Sequence, residues 1–249
     1  MGKAHKKFSQ PEVVSLDDAR KLSKKKFSPH DLCTLIPKNA RQEEFIRLFH
    51  DGAEVLVASG YAGTGKTFLS MYLALNEVFR SDTPYDKVMI VRSAVQTRDI
   101  GFTKGDNDEK NAPYEAPYRG ICADLLGYGN AYDMLKALRY VEFDTTGFLR
   151  GNTFDRTIVI VDEAACMNYH ELATITTRLG NYSRLIVCGD VLQDDLAQKG
   201  RKTDVSGFRD YLNVIEMMPP SMYGIVEYEM EDIVRSGLVR EFIIADSKY

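Results

Sequence analysis

The chain has 249 residues, 44% hydrophobic and 27% charged, with a formal net charge of −4, which is typical of a globular protein with one α/β domain. No apolar run approaches the roughly 20 residues that cross a bilayer, and the lysine-rich N-terminus lacks the apolar core of a secretory signal, so we expect no membrane contact. The four cysteines form no C-x-x-C pair, which argues against a zinc site and favours a reducing cytoplasmic location.

The first 36 residues are predicted to form a basic extension outside the core, and residues 37–249 a single domain. Between positions 1 and 27, eight lysines and arginines stand against three acidic residues. Such a segment is either an arm that touches phosphate groups or a solvated, partly disordered tail, and the sequence leaves both interpretations open.

A phosphate-binding loop follows a helix predicted over residues 41–49. Residues 60–67 match the pattern G-x-x-x-x-G-K-[ST], in which backbone N–H groups surround phosphates, the lysine reaches the outer phosphates and the threonine hydroxyl binds Mg²⁺. An apolar strand is predicted before it at 53–59 and an amphipathic helix after it at 67–76, the context that this motif requires. The predicted nucleotide-binding residues are Gly60, Tyr61, Ala62, Gly63, Thr64, Gly65, Lys66, Thr67 and Phe68.

Further short apolar runs predict a parallel sheet covered by helices on both faces. The strands are expected at 87–92, 141–143, 157–162, 183–190 and 224–228. The apolar residues over 119–138 have helical spacing, interrupted by Gly127 and Gly129. Residues 97–118 show no clear hydrophobic period and are expected to form a long functional loop.

The strand at 157–162 ends in two carboxylates, which is the Walker B pattern once a phosphate-binding loop is present. Asp162 is predicted to hold Mg²⁺ together with Thr67. Glu163 is predicted to act as the general base that polarises an attacking water. A base at this position favours hydrolysis over a kinase reaction, in which an acceptor replaces the water.

Two glutamines are further candidates for contacts with the nucleotide. Gln193 follows the strand at 183–190, at the carboxyl edge of the sheet where ligands of open α/β sheets bind, and is predicted to sense the γ-phosphate. Gln42 precedes the loop by one short helix, and its amide can pair with the N6/N7 edge of adenine. From spacing alone, Gln42 is equally well explained as a surface residue.

Together these motifs resemble the PhoH family, whose ATPase core is similar to the first motor domain of superfamily 1 helicases. The resemblance runs from about residue 37 to the C-terminus. It is carried by residues 37–42, the phosphate-binding loop, 91–95, an insertion that includes 101–102, 105–106, Lys110, 113–114 and Pro117, and then 162–164, 189–196 and the D-I-V-R of residues 232–235.

The resemblance implies a RecA-like P-loop NTPase: a three-layer α/β/α fold with a mostly parallel sheet that hydrolyses ATP with Mg²⁺. It strengthens the prediction that Gln42 reads adenine, and it implies that Arg235 approaches the γ-phosphate like an arginine finger. It also implies contact with nucleic acid or a neighbouring subunit at Arg92, with Lys104 and Lys110 as further candidates. Lys66, Glu163, Gln193 and Arg235 form the predicted catalytic set.

Longer family members carry a nuclease domain that we do not expect here, so the chain is predicted to contain one motor lobe. Because one lobe supplies half of a motor's catalytic site, a homo-oligomeric ring is expected, with a hexamer as the hypothesis. The expected activity is that of a motor on single-stranded RNA or DNA. An ATPase switch that remodels a protein partner and a small-molecule kinase are the alternatives.

Overall fold

The computed structural model describes residues 27–93, 107–146, 153–190 and 207–247, with the backbone alone for 107–110. The helices are α1 (Ala40–His50), α2 (Lys66–Val78), α3 (Asn107–Leu126), α4 (Ala131–Ala137), α5 (Tyr169–Thr176), α6 (Phe208–Glu216) and α7 (Gly237–Asp246). The strands are β1 (Val55–Gly60), β2 (Lys87–Arg92), β3 (Val141–Thr145), β4 (Thr157–Asp162), β5 (Arg184–Gly189) and β6 (Tyr223–Tyr228). Of the predicted basic extension, residues 1–26 lie outside the described residues.

The six strands form one sheet in the order β3-β2-β4-β5-β1-β6, and every adjacent pair is parallel. The fold is therefore the predicted RecA-like α/β fold, in which β5 separates the phosphate-binding strand β1 from the acidic strand β4. Parallel strands all end at the same edge, so the residues that follow β1, β2, β4 and β5 converge there.

Helices cover both faces of the sheet, which gives three layers. Alternate strand residues such as Ile90 and Ile160 face one hydrophobic cluster, which includes residues of α1, α2, α3 and α4. Their neighbours Val91 and Val161 face the other, which includes residues of α5 and α6. Because both faces are buried, the strands are continuous apolar runs, which is why their positions were predictable from the sequence.

The stretch at 97–118 was expected to be an irregular loop, and this is wrong from residue 107 onward, where α3 begins. The buried stripe of α3 combines Tyr118, Cys122 and Leu125 with the buried polar residues Asn111 and Glu115. Glu115 is satisfied by Lys136 of α4, whose Nζ lies 2.7 Å from its carboxylate. A helix whose buried face starts with polar side chains shows no hydrophobic period.

The packing of the domain also begins earlier than the predicted boundary at residue 37. Phe27 is 4% exposed and stacks on Phe79 of the segment after α2, with ring centroids 5.1 Å apart. Leu32 is buried in the same cluster, and the Cys33 N–H donates to the carbonyl of Leu125 at 2.7 Å. The last part of the predicted extension is thus part of the domain.

In the ranges that the structure describes, no helix is long and apolar enough to span a membrane.

Candidate active site

The phosphate-binding loop joins β1 to α2 and depends on glycine at two positions. Gly60 has φ +114°, and a Cβ at this position would collide with the backbone of Tyr228 on β6. Gly65, the residue before α2, has φ +90°, a left-handed conformation that L side chains rarely adopt. The loop can therefore turn sharply and lie against β6 only with these glycines.

The peptide groups of this loop are oriented so that its carbonyls are bonded and its N–H groups are available. The Gly63 carbonyl accepts from the Val234 N–H at 3.0 Å, and the Thr64 carbonyl from Gln42 Nε2 at 2.9 Å. The N–H groups of residues 62–65 find no acceptor among the described residues. Such free N–H groups at the N-terminus of the 13-residue helix α2 form an anion-binding nest, which fits the phosphates of a nucleotide.

Lys66 places its ammonium inside the same loop. Its Nζ donates to the carbonyls of Gly60 and Tyr61, both at 2.6 Å. Burial lowers the pKa of Lys66, and the nearby carboxylates of Asp190 and Asp162 oppose that shift. The ammonium is thus held beside the nest, where a phosphate would provide the compensating charge that burial demands.

Thr67 and Asp162, the predicted Mg²⁺ ligands, are in direct contact. Thr67 Oγ1 donates to Asp162 Oδ1 at 2.9 Å, and the buried Tyr118 hydroxyl donates to Asp162 Oδ2 at 2.8 Å. Burial raises the pKa of Asp162, and these two hydrogen bonds oppose that shift. A hydroxyl and one carboxylate suit Mg²⁺, which retains several waters and needs few protein ligands, so the residues present fit this ion.

Glu163 stands directly after the predicted metal ligand Asp162 and forms an ion pair with Arg92. Its backbone is in the left-handed region, with φ 54°, so the chain leaves the extended path of β4 at this residue. Arg92 ends the neighbouring strand β2, in register with Asp162, and its Nη1 also lies 3.5 Å from the Tyr114 carbonyl of α3. The predicted nucleic-acid contact and the predicted general base therefore belong to one cluster.

Gln42 lies against the loop through its side-chain amide. Its Oε1 accepts from the Lys38 N–H at 2.8 Å, its Nε2 donates to the Thr64 carbonyl, and the residue is 4% exposed. Gln42 therefore supports the phosphate-binding loop. That it also reads adenine stays a prediction.

The D-I-V-R segment also packs against this loop. The Val234 N–H bond to Gly63 anchors it, and Asn39 Nδ2 donates to the Asp232 carbonyl at 3.1 Å. A Cβ on Gly63 would lie 2.9 Å from Arg235 Cγ, so the arginine stem lies on the loop of its own chain. Among the described residues no ion pair joins Arg235 to the acids before it.

Three predicted site residues fall outside the side chains that the structure describes. Gln193 and Lys104 lie outside the described residues, and of Lys110 only the backbone is described. Sequence reasoning did not assign a site role to Tyr118, since a tyrosine in an aperiodic stretch gives no signal that its hydroxyl reaches a carboxylate on another strand.

Comparison with known proteins places these motifs in context. The family model described as "PhoH-like protein" matches residues 34–246. "Protein PhoH" of Escherichia coli (strain K12) is 32% identical over 219 residues, which is 87% of this chain and 59% of that protein. A "PhoH-like protein" of Bacillus subtilis (strain 168) is 31% identical over 212 residues, covering 85% and 63%. The chain thus spans less than two thirds of the length of these relatives. A solved structure, "Structure of Drosophila ORC bound to DNA", aligns over 99% of this chain and 54% of that one, with 16% identity and a TM-score of only 0.35.

Proposed function

The chain belongs to the PhoH family of P-loop proteins, and we propose that it hydrolyses ATP with Mg²⁺ and works as a motor on single-stranded RNA or DNA. The observation that carries the hydrolytic part is the contact between Thr67 and Asp162, with Glu163 as the next residue. This contact brings the phosphate-binding loop and the carboxylate pair together, although they are far apart in the sequence. A nucleoside triphosphatase requires this arrangement.

The roles of the residues follow from their positions. The N–H groups of the loop and Lys66 bind the phosphates, and Thr67 and Asp162 would hold Mg²⁺. When bound, Mg²⁺ neutralises charge on the phosphate oxygens. Glu163 orients the attacking water and accepts its proton.

Two further residues complete the proposed catalytic set. Gln193 is proposed to sense the γ-phosphate, and Arg235 to stabilise charge on it. The support for Arg235 is that its stem lies against the Gly63 region of its own loop.

The nucleic-acid part of the proposal rests on the family resemblance and on Arg92 at the carboxyl edge of the sheet. Guanidinium groups bind phosphate in a bidentate manner, which suits the backbone of a single strand. We place this activity in the reducing cytoplasm, with Lys104, Lys110 and the basic arm as additional phosphate contacts.

A ring of six copies is proposed as the working assembly. Helix α7, whose Ile243 lies near the phosphate-binding loop, exposes Leu238 by 85% and Phe242 by 68%. An apolar surface of this kind beside the nucleotide site supports contact between copies. Light scattering with and without ATP tests the assembly, and a chain that stays monomeric while turning over normally would exclude the ring.

The decisive experiment measures the ATPase rate with and without single-stranded RNA and DNA at several salt concentrations. We expect stimulation that weakens as salt rises, because phosphate contacts release counterions. Glu163→Gln serves as the control for contaminating activity. Hydrolysis that does not respond to either nucleic acid would contradict the motor and favour the switch that remodels a protein partner.

A further inference from the structure

The ion pair between Arg92 and Glu163 opposes the role proposed for Glu163. The two residues lie at the ends of neighbouring strands. Arg92 is the last residue of β2, in register with Asp162 of β4, and Glu163 comes directly after Asp162. The Arg92 side chain is 14% exposed, whereas that of Glu163 is 56% exposed. The arginine is thus fixed in the fold, and the glutamate is the partner that can move.

A guanidinium that donates a charge-assisted hydrogen bond holds the carboxylate in place and occupies an oxygen that would otherwise bind a water. Glu163 has to take a proton from water, so the pair must open before it can act. Arginine does not lose its proton in proteins, so the guanidinium of Arg92 remains a cation when the pair opens. Because it is largely enclosed, it then requires another anion.

We propose that Arg92 is a positioning residue that restrains Glu163 and exchanges it for a phosphate group of the nucleic-acid backbone. This inference rests on the proposed function and names how the strand would control hydrolysis. Phosphate matches the planar donor set of a guanidinium at least as well as a carboxylate does. Arg92 ends its strand at the carboxyl edge of the sheet, where ligands of such folds bind. Exchange therefore frees the base when a strand is bound.

The test compares Arg92→Gln with the wild-type chain. We expect the ATPase kcat without nucleic acid to rise about tenfold, the effect of losing one charge-assisted hydrogen bond, with little change in KM for ATP. Stimulation by a single-stranded oligonucleotide should largely disappear. Arg92→Lys keeps the charge and should restore part of the low resting rate.

A matched control lies on the same strand. Lys87 at the start of β2 forms an ion pair with Glu142 of β3, with a separation of 2.6 Å. Lys87→Gln removes a β2 cation from an ion pair at the opposite end of the strand and should leave both the resting rate and the stimulation unchanged. A resting rate in Arg92→Gln that equals or falls below the wild-type rate overturns the restraint, and retained stimulation overturns the exchange.

A stability measurement tests the pair without relying on hydrolysis. Thermal unfolding of Arg92→Gln, Glu163→Gln and the double variant should show non-additive shifts in Tm, and additive shifts would overturn the pairing. This separates the inference from the proposed function. If the wild type never responds to nucleic acid, the motor proposal and the exchange fail, while non-additivity and a raised resting rate would still establish the restraint.

Discussion

The buried hydroxyl of Tyr118 donates a hydrogen bond to Asp162 Oδ2 at 2.8 Å, which ties helix α3 to the carboxyl end of β4. The other oxygen of this carboxylate accepts from Thr67. Asp162 is therefore fixed from two sides by neutral donors, and its orientation depends on a tyrosine of α3 that the sequence motifs do not include.

Tyr118→Phe should lower both stability and the affinity for MgATP. The change leaves a buried carboxylate oxygen without its donor, which costs about 1–3 kcal/mol of unfolding free energy. Urea denaturation measures the stability, and fluorescence titration of a nucleotide analogue with and without Mg²⁺ measures the binding. Tyr132→Phe is the control, because that hydroxyl is buried and has no partner among the described residues. A loss as large in Tyr132→Phe as in Tyr118→Phe would contradict the role of the hydrogen bond.

Glu163→Gln should retain ATP binding while hydrolysis falls by about 10²-fold or more, because the amide cannot accept a proton from water. Binding is measured by nucleotide titration and turnover by phosphate release. Intact turnover would exclude Glu163 as the base.

Lys66→Ala should weaken nucleotide binding itself, by about tenfold or more, since it removes the half-buried cation beside the nest of N–H groups. Equilibrium titration with a fluorescent ATP analogue checks this. Lys87→Ala, which removes a lysine far from the loop, should bind normally. Equal affinity for both variants would show that Lys66 makes no phosphate contact.

Gln42→Ala should reduce the affinity for ATP and GTP together, because the Gln42 amide holds the Thr64 carbonyl of the loop. The loss expected from one buried hydrogen bond is about tenfold. Competition titrations with both nucleotides separate the two roles of this residue. A loss confined to ATP would instead identify Gln42 as the adenine reader.

Arg235 should act on the site of its own chain, because its stem lies against Gly63 of that chain. Arg235→Ala is expected to lower kcat by about 10-fold or more while retaining ATP binding. Mixing Arg235→Ala with Lys66→Ala should then restore no activity. Restored turnover in the mixture would mean that the arginine enters the site of a neighbouring subunit.

The strands of the core could be predicted from the sequence with little error. Strands β2 and β4 have the predicted bounds, 87–92 and 157–162, because a parallel strand buried on both faces has to be apolar throughout. Helix α3 could not be predicted, since its buried stripe includes Asn111 and Glu115, and Pro113 and Pro117 lie within it. The role of Gln193 stays a prediction.

The sequence by itself determined the phosphate-binding loop and the pair of carboxylates that are predicted to hold Mg²⁺ and to act as the base, because local motifs require particular residue types at fixed spacing. Only the tertiary structure decided which side chains control those groups. Arg92 meets Glu163 because β2 pairs with β4, and Tyr118 meets Asp162 because α3 packs against the sheet. Strand order and helix packing arise from the burial of the whole core, so no local pattern encodes these contacts.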